Sequence, residues 1–325
     1  MPPGVALGGL ARVSLPRLSA LRTRVPSRRL AARAAMPPPA RVPARGGRLA
    51  VGQMCSTNDV EANFATCASL ARQAKEAGCH ILCLPECFAF IGVAGSDALD
   101  VMEPLDGPLM ARYRALARDH GLWLSLGGFA EPSPAPQKRY NAHVVVDASG
   151  SIRAAYRKIH LFDVDMGDVN GPVLMESRTA AAGETLVTCD SPAGKLGLTV
   201  CYDLRFPEMF ARLRYELGCE MMLVPSAFTK PTGQAHWETL LRARAIETQS
   251  YVVAAAQAGA HSEGRASHGH AMVVDPWGKV VAELDGEETG IAVADVDLGY
   301  LKDVRSRIPV ETHRRDIASF QVERR

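Results

Sequence analysis

A cysteine at the end of a short apolar stretch is the first candidate for chemistry. Residues 197–200 predict a strand that runs directly into Cys201, and Pro207 suits the first turn of the helix that follows. Such a strand-to-helix turn resembles a nucleophile elbow, which presents a side chain beside backbone N–H groups. A thiol there could be a nucleophile, with the Tyr202 N–H as an oxyanion donor. The alternative is a buried structural cysteine at a strand end.

A carboxylate and an ammonium group follow two other predicted strands. Glu86 lies just beyond the apolar run 81–84, and Lys158 ends the predicted strand 151–157. Either charge could instead be solvated at a strand end. Together with Cys201 they form a coherent set for amide hydrolysis, in which Glu86 takes the thiol proton and Lys158 stabilises the tetrahedral oxyanion.

The spacing of the cysteines and histidines does not favour a metal site. Cys79, Cys83 and Cys87 span an apolar strand and have no matching Cys or His pair, so core packing is the better interpretation. His268 and His270 lack carboxylates or cysteines at ligand spacing. We therefore expect no metal.

Three motifs in a fixed order resemble those of the nitrilase superfamily of carbon–nitrogen hydrolases. They are LPE at 84–86, YRKIHLFD at 156–163 and VCYDLRFPE at 200–208. The resemblance extends over essentially the whole chain from Leu49. It implies an α/β fold, the α-β-β-α sandwich, which associates sheet to sheet as α-β-β-α-α-β-β-α in a homo-oligomer, dimer or tetramer. It also implies that no cofactor is needed.

The same resemblance implies a role for each matched residue. Glu86 is the general base, Lys158 stabilises the tetrahedral intermediate, and Cys201 forms a thioester that water hydrolyses. A second family glutamate lies between the lysine and the cysteine. Glu176 in the sequence MES matches it by motif, and Glu184 is the competing candidate.

The segment 225–238, PSAFTKPTGQAHWE, is most similar to the Nit branch of the superfamily. This similarity implies a metabolite-repair reaction, in which the amide bond of deaminated glutathione is hydrolysed to 2-oxoglutarate and cysteinylglycine. Two alternatives stay open: an ω-amidase acting on 2-oxoglutaramate, and a non-catalytic interaction protein built on the same fold. Thiol reactivity and substrate comparison would separate them.

Three further residues are candidates for contacting such a substrate. The guanidinium fork of Arg205 suits bidentate binding of a carboxylate, although an internal salt bridge is an equal alternative. Phe228 and Thr229 are candidates for the pocket wall. The expected partner is thus a small anionic amide.

The elements that must position these residues alternate along the chain, which indicates a sheet covered by helices. Segments 85–104 and 158–184 resist assignment and follow strands, so we expect them to wall the site. The predicted strands are 49–54, 80–84, 122–126, 142–146, 151–157, 186–189, 196–200, 220–224, 251–256, 270–274, 280–284 and 291–296. The predicted helices are 58–77, 107–120, 207–217, 235–249 and 299–305.

Charge divides the chain into two parts. Residues 1–48 contain ten arginines and no Lys, Asp or Glu, a composition typical of a mitochondrial targeting segment. A disordered basic tail is the alternative, and a start at Met36 would give a cytoplasmic form. Residues 49–325, the predicted hydrolase domain, contain 27 basic and 35 acidic residues, a net charge of −8. This excludes a basic nucleic-acid-binding body, and no stretch approaches the roughly 18 apolar residues of a membrane span.

Overall fold

The computed structural model describes residues 46–94, 96–165, 173–315 and 323. The predicted targeting segment and Met36 lie almost wholly outside these residues, so targeting and alternative initiation stay predictions. No helix in the described part of the chain is both long enough and apolar enough to cross a membrane.

Strands and helices alternate much as predicted. The strands are β1 (Arg48–Met54), β2 (Ile81–Leu84), β3 (Trp123–Pro132), β4 (Arg139–Val146), β5 (Ile152–Arg157), β6 (Asp163–Asp165), β7 (Val173–Met175), β8 (Thr188–Ser191), β9 (Gly194–Leu198), β10 (Met221–Leu223), β11 (Tyr251–Ala254), β12 (Ala256–Ser262), β13 (Arg265–His268), β14 (Met272–Val274), β15 (Val280–Glu283) and β16 (Gly290–Asp295). The α-helices are α1 (Val60–Glu76), α2 (Pro108–His120), α3 (Pro207–Tyr215), α4 (Lys230–Thr248), α5 (Leu298–Arg307) and α6 (Val310–His313).

The first sheet has the strand order β13-β12-β1-β2-β3-β4-β5, and β16 also pairs with β1. The central strands β1, β2 and β3 run parallel, while β3, β4 and β5 form antiparallel pairs. Side chains alternate across β1, so Ala50 packs with Leu70 of α1 and Tyr113 of α2, whereas Leu49 and Val51 face the other sheet. Helices α1 and α2 therefore cover the outer face of this sheet.

The second sheet has the strand order β15-β14-β11-β10-β9-β8. Leu196 of β9 and Val252 of β11 belong to the apolar cluster that also contains Phe210 of α3 and Trp237 of α4. Two sheets thus face each other between two helix layers. This is the α-β-β-α sandwich that the motifs predicted.

The structure corrects several predicted boundaries. Helix α1 begins at Val60 rather than at the predicted residue 58, because the Asp59 side chain caps it by accepting the Ala62 N–H at 3.0 Å. Helix α4 begins at Lys230, earlier than the predicted residue 235, with a proline in its first turn where the missing N–H costs nothing. The unassigned segments contain short elements: a 3-10 helix at Asp97–Leu99 in the first, and β6, β7 and a 3-10 helix at Glu176–Arg178 in the second.

Candidate active site

The structure brings Glu86, Lys158 and Cys201 together where three elements end. Glu86 follows β2, Lys158 follows β5, and Cys201 follows β9 and opens a 3-10 helix, Cys201–Arg205. Open α/β sheets place ligands at such strand ends. The fold therefore positions the three residues that the motifs selected, although they lie far apart in the sequence.

Cys201 has an unusual backbone conformation. Its φ is +50°, in the left-handed region that non-glycine residues rarely adopt. The conformation is held on both sides: the Cys201 N–H donates to the Pro225 carbonyl at 2.9 Å, and the Val200 N–H donates to the Asp203 carboxylate at 2.8 Å. Strain of this kind concentrates at functional sites. The turn matches the elbow geometry predicted from the sequence.

Lys158 is buried between two carboxylates. Its Nζ donates to Glu86 Oε1 at 3.0 Å and to Glu176 Oε2 at 2.8 Å, and its side chain is 2% exposed. Burial alone would lower the pKa of Lys158, but the charges of Glu176 and Glu86 raise it well above its ordinary value. The lysine is therefore a permanent cation at working pH.

Glu176, and not Glu184, lies in this cluster. Burial would raise the pKa of Glu176, but Lys158 and hydrogen bonds from Asn141 and the Phe162 N–H lower it to about 2. Glu184 is exposed. Among the two candidates left by the sequence, Glu176 is the one whose carboxylate contacts Lys158.

The surroundings of the Cys201 thiol disfavour its ionised form. Burial, followed by the neighbouring Glu86 carboxylate, raises the pKa of the thiol well above its ordinary value. The charge of Lys158 and a hydrogen bond from the Ala227 N–H act in the opposite direction. A base must therefore remove the thiol proton before the sulfur can attack.

Asn141 on β4 is a site residue that sequence reasoning missed. Its Nδ2 donates to Glu86 Oε1 and to Glu176 Oε1, each at 2.9 Å, and the residue is 1% exposed. It immediately precedes the predicted strand 142–146, and its side chain is neutral. The only local signal in the sequence is a polar amide at the start of an apolar strand, which does not by itself indicate a site.

A small pocket opens beside the thiol, and the predicted contact residues line it. Arg205 has no carboxylate partner among the described residues, so the internal salt bridge that was its alternative is not formed there. It instead contacts the His236 ring nitrogen at 3.2 Å and lies over the ring of Phe228. An apolar wall with one cation suits an anionic substrate group. The lining comprises Phe162, Cys201, Tyr202, Arg205, Ala227, Phe228, Thr229 and Thr232.

A fully buried carboxylate joins the lysine-bearing strand end to the cysteine turn. Asp203 Oδ1 accepts from the backbone and the ring of His160, at 3.1 and 2.7 Å, and Oδ2 accepts from the Tyr156 hydroxyl at 2.7 Å. The His160 ring stacks on Phe206 with centroids 3.6 Å apart. This connection fixes the spacing between the end of β5 and the turn that carries Cys201.

The remaining cysteines and histidines form no second centre in the part of the chain that the structure describes. All eight cysteines are free thiols, and Cys79 and Cys83 are buried in apolar clusters as predicted, whereas Cys87 is only partly buried and belongs to neither cluster. No group of three or more His, Cys, Asp or Glu side chains within the described ranges could hold a metal ion. His268 and His270 lie side by side with ring centroids 4.6 Å apart.

Comparison with known proteins places this site in a family context. The carbon–nitrogen hydrolase family matches residues 48–306. Deaminated glutathione amidase of Homo sapiens is 51% identical over 271 residues, covering 82% of each chain, and that of Dictyostelium discoideum is 47% identical over 274 residues, covering 82% of this chain and 94% of that one. The crystal structure of the C. elegans NitFhit protein aligns with a TM-score of 0.78 at 46% identity, covering 83% of this chain and 66% of that one.

Proposed function

The chain belongs to the carbon–nitrogen hydrolase family and is a cysteine-dependent amidase acting on carbon–nitrogen bonds other than peptide bonds, and we propose that its substrate is deaminated glutathione. The observation that carries the catalytic proposal is the contact set of Glu86: its carboxylate accepts from Lys158 Nζ at 3.0 Å and from the Ala227 N–H at 3.0 Å, and it interacts with the Cys201 thiol. The names of the similar amidases support the choice of substrate.

In the first half of the reaction, Glu86 takes the proton of the Cys201 thiol as the sulfur attacks the amide carbonyl carbon. The new oxyanion is stabilised by Lys158 and by the Tyr202 backbone N–H. Two of the three Nζ protons of Lys158 are donated to carboxylates, which leaves one for this oxyanion. Collapse breaks the carbon–nitrogen bond, and Glu86 passes its proton to the leaving amine.

In the second half, water hydrolyses the thioester. Glu86, again ionised, takes a proton from water while the water oxygen attacks the thioester carbonyl. The oxyanion forms in the same place and is stabilised by the same donors. Collapse then breaks the carbon–sulfur bond, the sulfur regains its proton, and the acid leaves. Cysteinylglycine is released in the first half and 2-oxoglutarate in the second.

The acidic body makes local positive charge important for this substrate. With a net charge of −8 over residues 49–325, the domain as a whole repels anions. We assign Arg205, at the pocket wall, to a carboxylate of the substrate, with Phe228 and Thr229 as neighbouring wall residues. Arg205→Met should raise KM by a far larger factor than it lowers kcat. A fall in kcat by a factor as large as the rise in KM would contradict this assignment.

The catalytic assignment is tested by replacing the nucleophile. Cys201→Ala should abolish hydrolysis of deaminated glutathione, measured as 2-oxoglutarate release, and Cys83→Ala is the control because that buried cysteine lies in a core strand. A thiol-directed amidase probe should label Cys201 alone. Undiminished turnover by Cys201→Ala would contradict a thioester mechanism at Cys201.

The substrate assignment is tested separately. The ratio of kcat/KM for deaminated glutathione to that for 2-oxoglutaramate should exceed about tenfold if the pocket recognises the cysteinylglycine portion. A ratio below one would identify an ω-amidase instead. A protein with neither activity and no probe labelling would be an interaction protein on this fold.

We also propose that the protein is a homo-oligomer in which the α3–α4 helix layers of two copies meet, as the layer order α-β-β-α-α-β-β-α requires, rather than their sheets. Several exposed large hydrophobic residues lie on or beside this layer, whereas α1 and α2 present none among the described residues. Exposed apolar groups of this kind mark association surfaces. They are Ile246, Trp277, Val281 and Ile308.

Residues 1–48 are proposed to direct one form to mitochondria, while a chain started at Met36 stays in the cytoplasm. The support is compositional: ten arginines and no acidic residue. A reporter fused behind residues 1–48 should enter mitochondria, and the same fusion started at Met36 should not. Equal distribution of the two fusions would contradict the proposal.

A further inference from the structure

Asn141 bridges the two carboxylates of the site without carrying charge. Both protons of its Nδ2 are used, one on Glu86 Oε1 and one on Glu176 Oε1, each at 2.9 Å. Its Oδ1 is buried and has no hydrogen-bond partner. A flipped amide would point that oxygen at both carboxylates, so the orientation is fixed by the two acids. Asn141 Oδ1 stays without a partner because the amide nitrogen must face the two carboxylates.

The bridge leaves the two oxygens of Glu86 in different positions. Oε1 accepts from Asn141 and from Lys158 at 3.0 Å. Oε2 accepts from the Ala227 N–H at 3.0 Å, and no other N–H donor reaches it among the described residues. The Glu86 carboxylate also interacts with the Cys201 thiol, and Oε2 is the oxygen that keeps a lone pair for the thiol proton. Oε1 has two donors already and is turned toward the lysine.

We propose that Asn141 is a positioning residue that occupies Glu86 Oε1 and so directs the proton of Cys201 to Glu86 Oε2. This inference rests on the proposed function of Glu86 as the base. A side chain with two N–H donors can serve two carboxylates at once, and its neutrality adds no further charge to the buried cluster.

The test compares two variants, Asn141→Ala and Asn141→Asp, by kcat/KM across pH. Aspartate keeps the shape of asparagine, so a purely structural role predicts that Asn141→Asp is the more active variant. A donor role predicts the reverse, because aspartate removes donors and adds a like charge beside two carboxylates. We expect about a hundredfold loss of kcat/KM for Asn141→Ala and a further loss of about tenfold for Asn141→Asp at pH 7.

The pH profile gives the second readout. Without the amide donors, ionised carboxylates in the cluster are less stabilised, so protonation sets in at higher pH. The acid-side midpoint of kcat/KM should therefore move upward in Asn141→Ala, and this measurement suffices if the aspartate variant does not fold. An unmoved midpoint, or an aspartate variant as active as the alanine variant or more so, would overturn the proposal.

Asn63 supplies the matched control. It is also a buried asparagine, but its Nδ2 donates to the carbonyls of Thr57 and Ala89 and to no carboxylate. Asn63→Ala should lower the melting temperature and leave the acid-side midpoint where it is. Retained turnover in Cys201→Ala would end the proposed function itself. If Cys201→Ala loses turnover but the Asn141 variants keep the acid-side midpoint of kcat/KM, only the positioning role of Asn141 is contradicted.

Discussion

Lys158 holds two carboxylates that would otherwise repel each other inside the protein. Its contacts with Glu86 and Glu176 leave the buried cluster with one net negative charge. Buried charges persist only when they are paired and hydrogen-bonded. The cluster is therefore a source of pH-dependent stability as well as a candidate for catalysis.

Glu176→Gln should weaken the acid sensitivity of the fold. The folded-state pKa of Glu176 is lowered to about 2 from its ordinary value of 4.5. Its ionised form therefore stabilises the fold fully above pH ~4.5, and this stabilisation is lost as the pH falls toward 2. At pH 7 the variant should be less stable by roughly 3 kcal/mol, because a buried pair is broken. The difference should shrink between pH 5 and 3, measured as the free energy of unfolding in urea.

The control for this prediction is an exposed ion pair. Glu61 binds Arg112 at 2.6 Å, and that carboxylate is largely in solvent. Since solvent screens such pairs, Glu61→Gln should change stability little at any pH. If Glu176→Gln keeps the same stability difference at pH 7 and pH 3, ionised Glu176 does not stabilise the fold.

At the scale of elements, the strand-to-helix turn that carries Cys201 stores strain that glycine would relieve. Cys201→Ala and Cys201→Gly lose the same thiol and differ only in the Cβ. Since the position has φ +50°, we expect Cys201→Gly to be the more stable of the two by about 1 kcal/mol. The melting temperatures of the two variants, compared at equal concentration, measure the difference.

Cys83 is the control for this comparison, because it lies in a strand of ordinary backbone conformation. It lies in β2, and glycine there costs chain entropy without relieving strain. Cys83→Gly should therefore be less stable than Cys83→Ala by about 0.5–1 kcal/mol. The same sign at both positions would show that the turn at Cys201 is not strained.

The sequence predicted most of these elements because apolar strands and helix stop signals are local. It failed at the start of α4, where Pro231 and Gly233 resemble a loop. Gly233 is required there because His268 packs against the helix, and a Cβ would lie 2.2 Å from its ring. Such a contact joins residues far apart in the chain, so no local pattern reports it. Asn141 was missed for the same reason.

At the scale of the whole molecule, the motifs predicted the sandwich because each one ends a strand of a shared architecture. The order of the strands in each sheet could not be predicted from local patterns, because β12 and β16, near the other end of the chain, pair with β1. The pairing of the two sheets then creates the site: β2 and β5 belong to the first sheet, and β9 belongs to the second. The predicted residues meet only across this interface.

The outer surface of the α3–α4 layer carries the last prediction. Ile246 is 51% exposed on α4, and Trp277 is 56% exposed in the turn that follows β14. If a second copy covers them, Ile246→Lys should place a charge in a desolvated interface and shift the protein toward monomer. Light scattering after size-exclusion chromatography measures the mass. Val93→Lys is the control, because Val93 is 66% exposed in the segment after β2 and belongs to neither α3 nor α4. An unchanged mass for Ile246→Lys, or an equal shift in both variants, would contradict association through α3–α4.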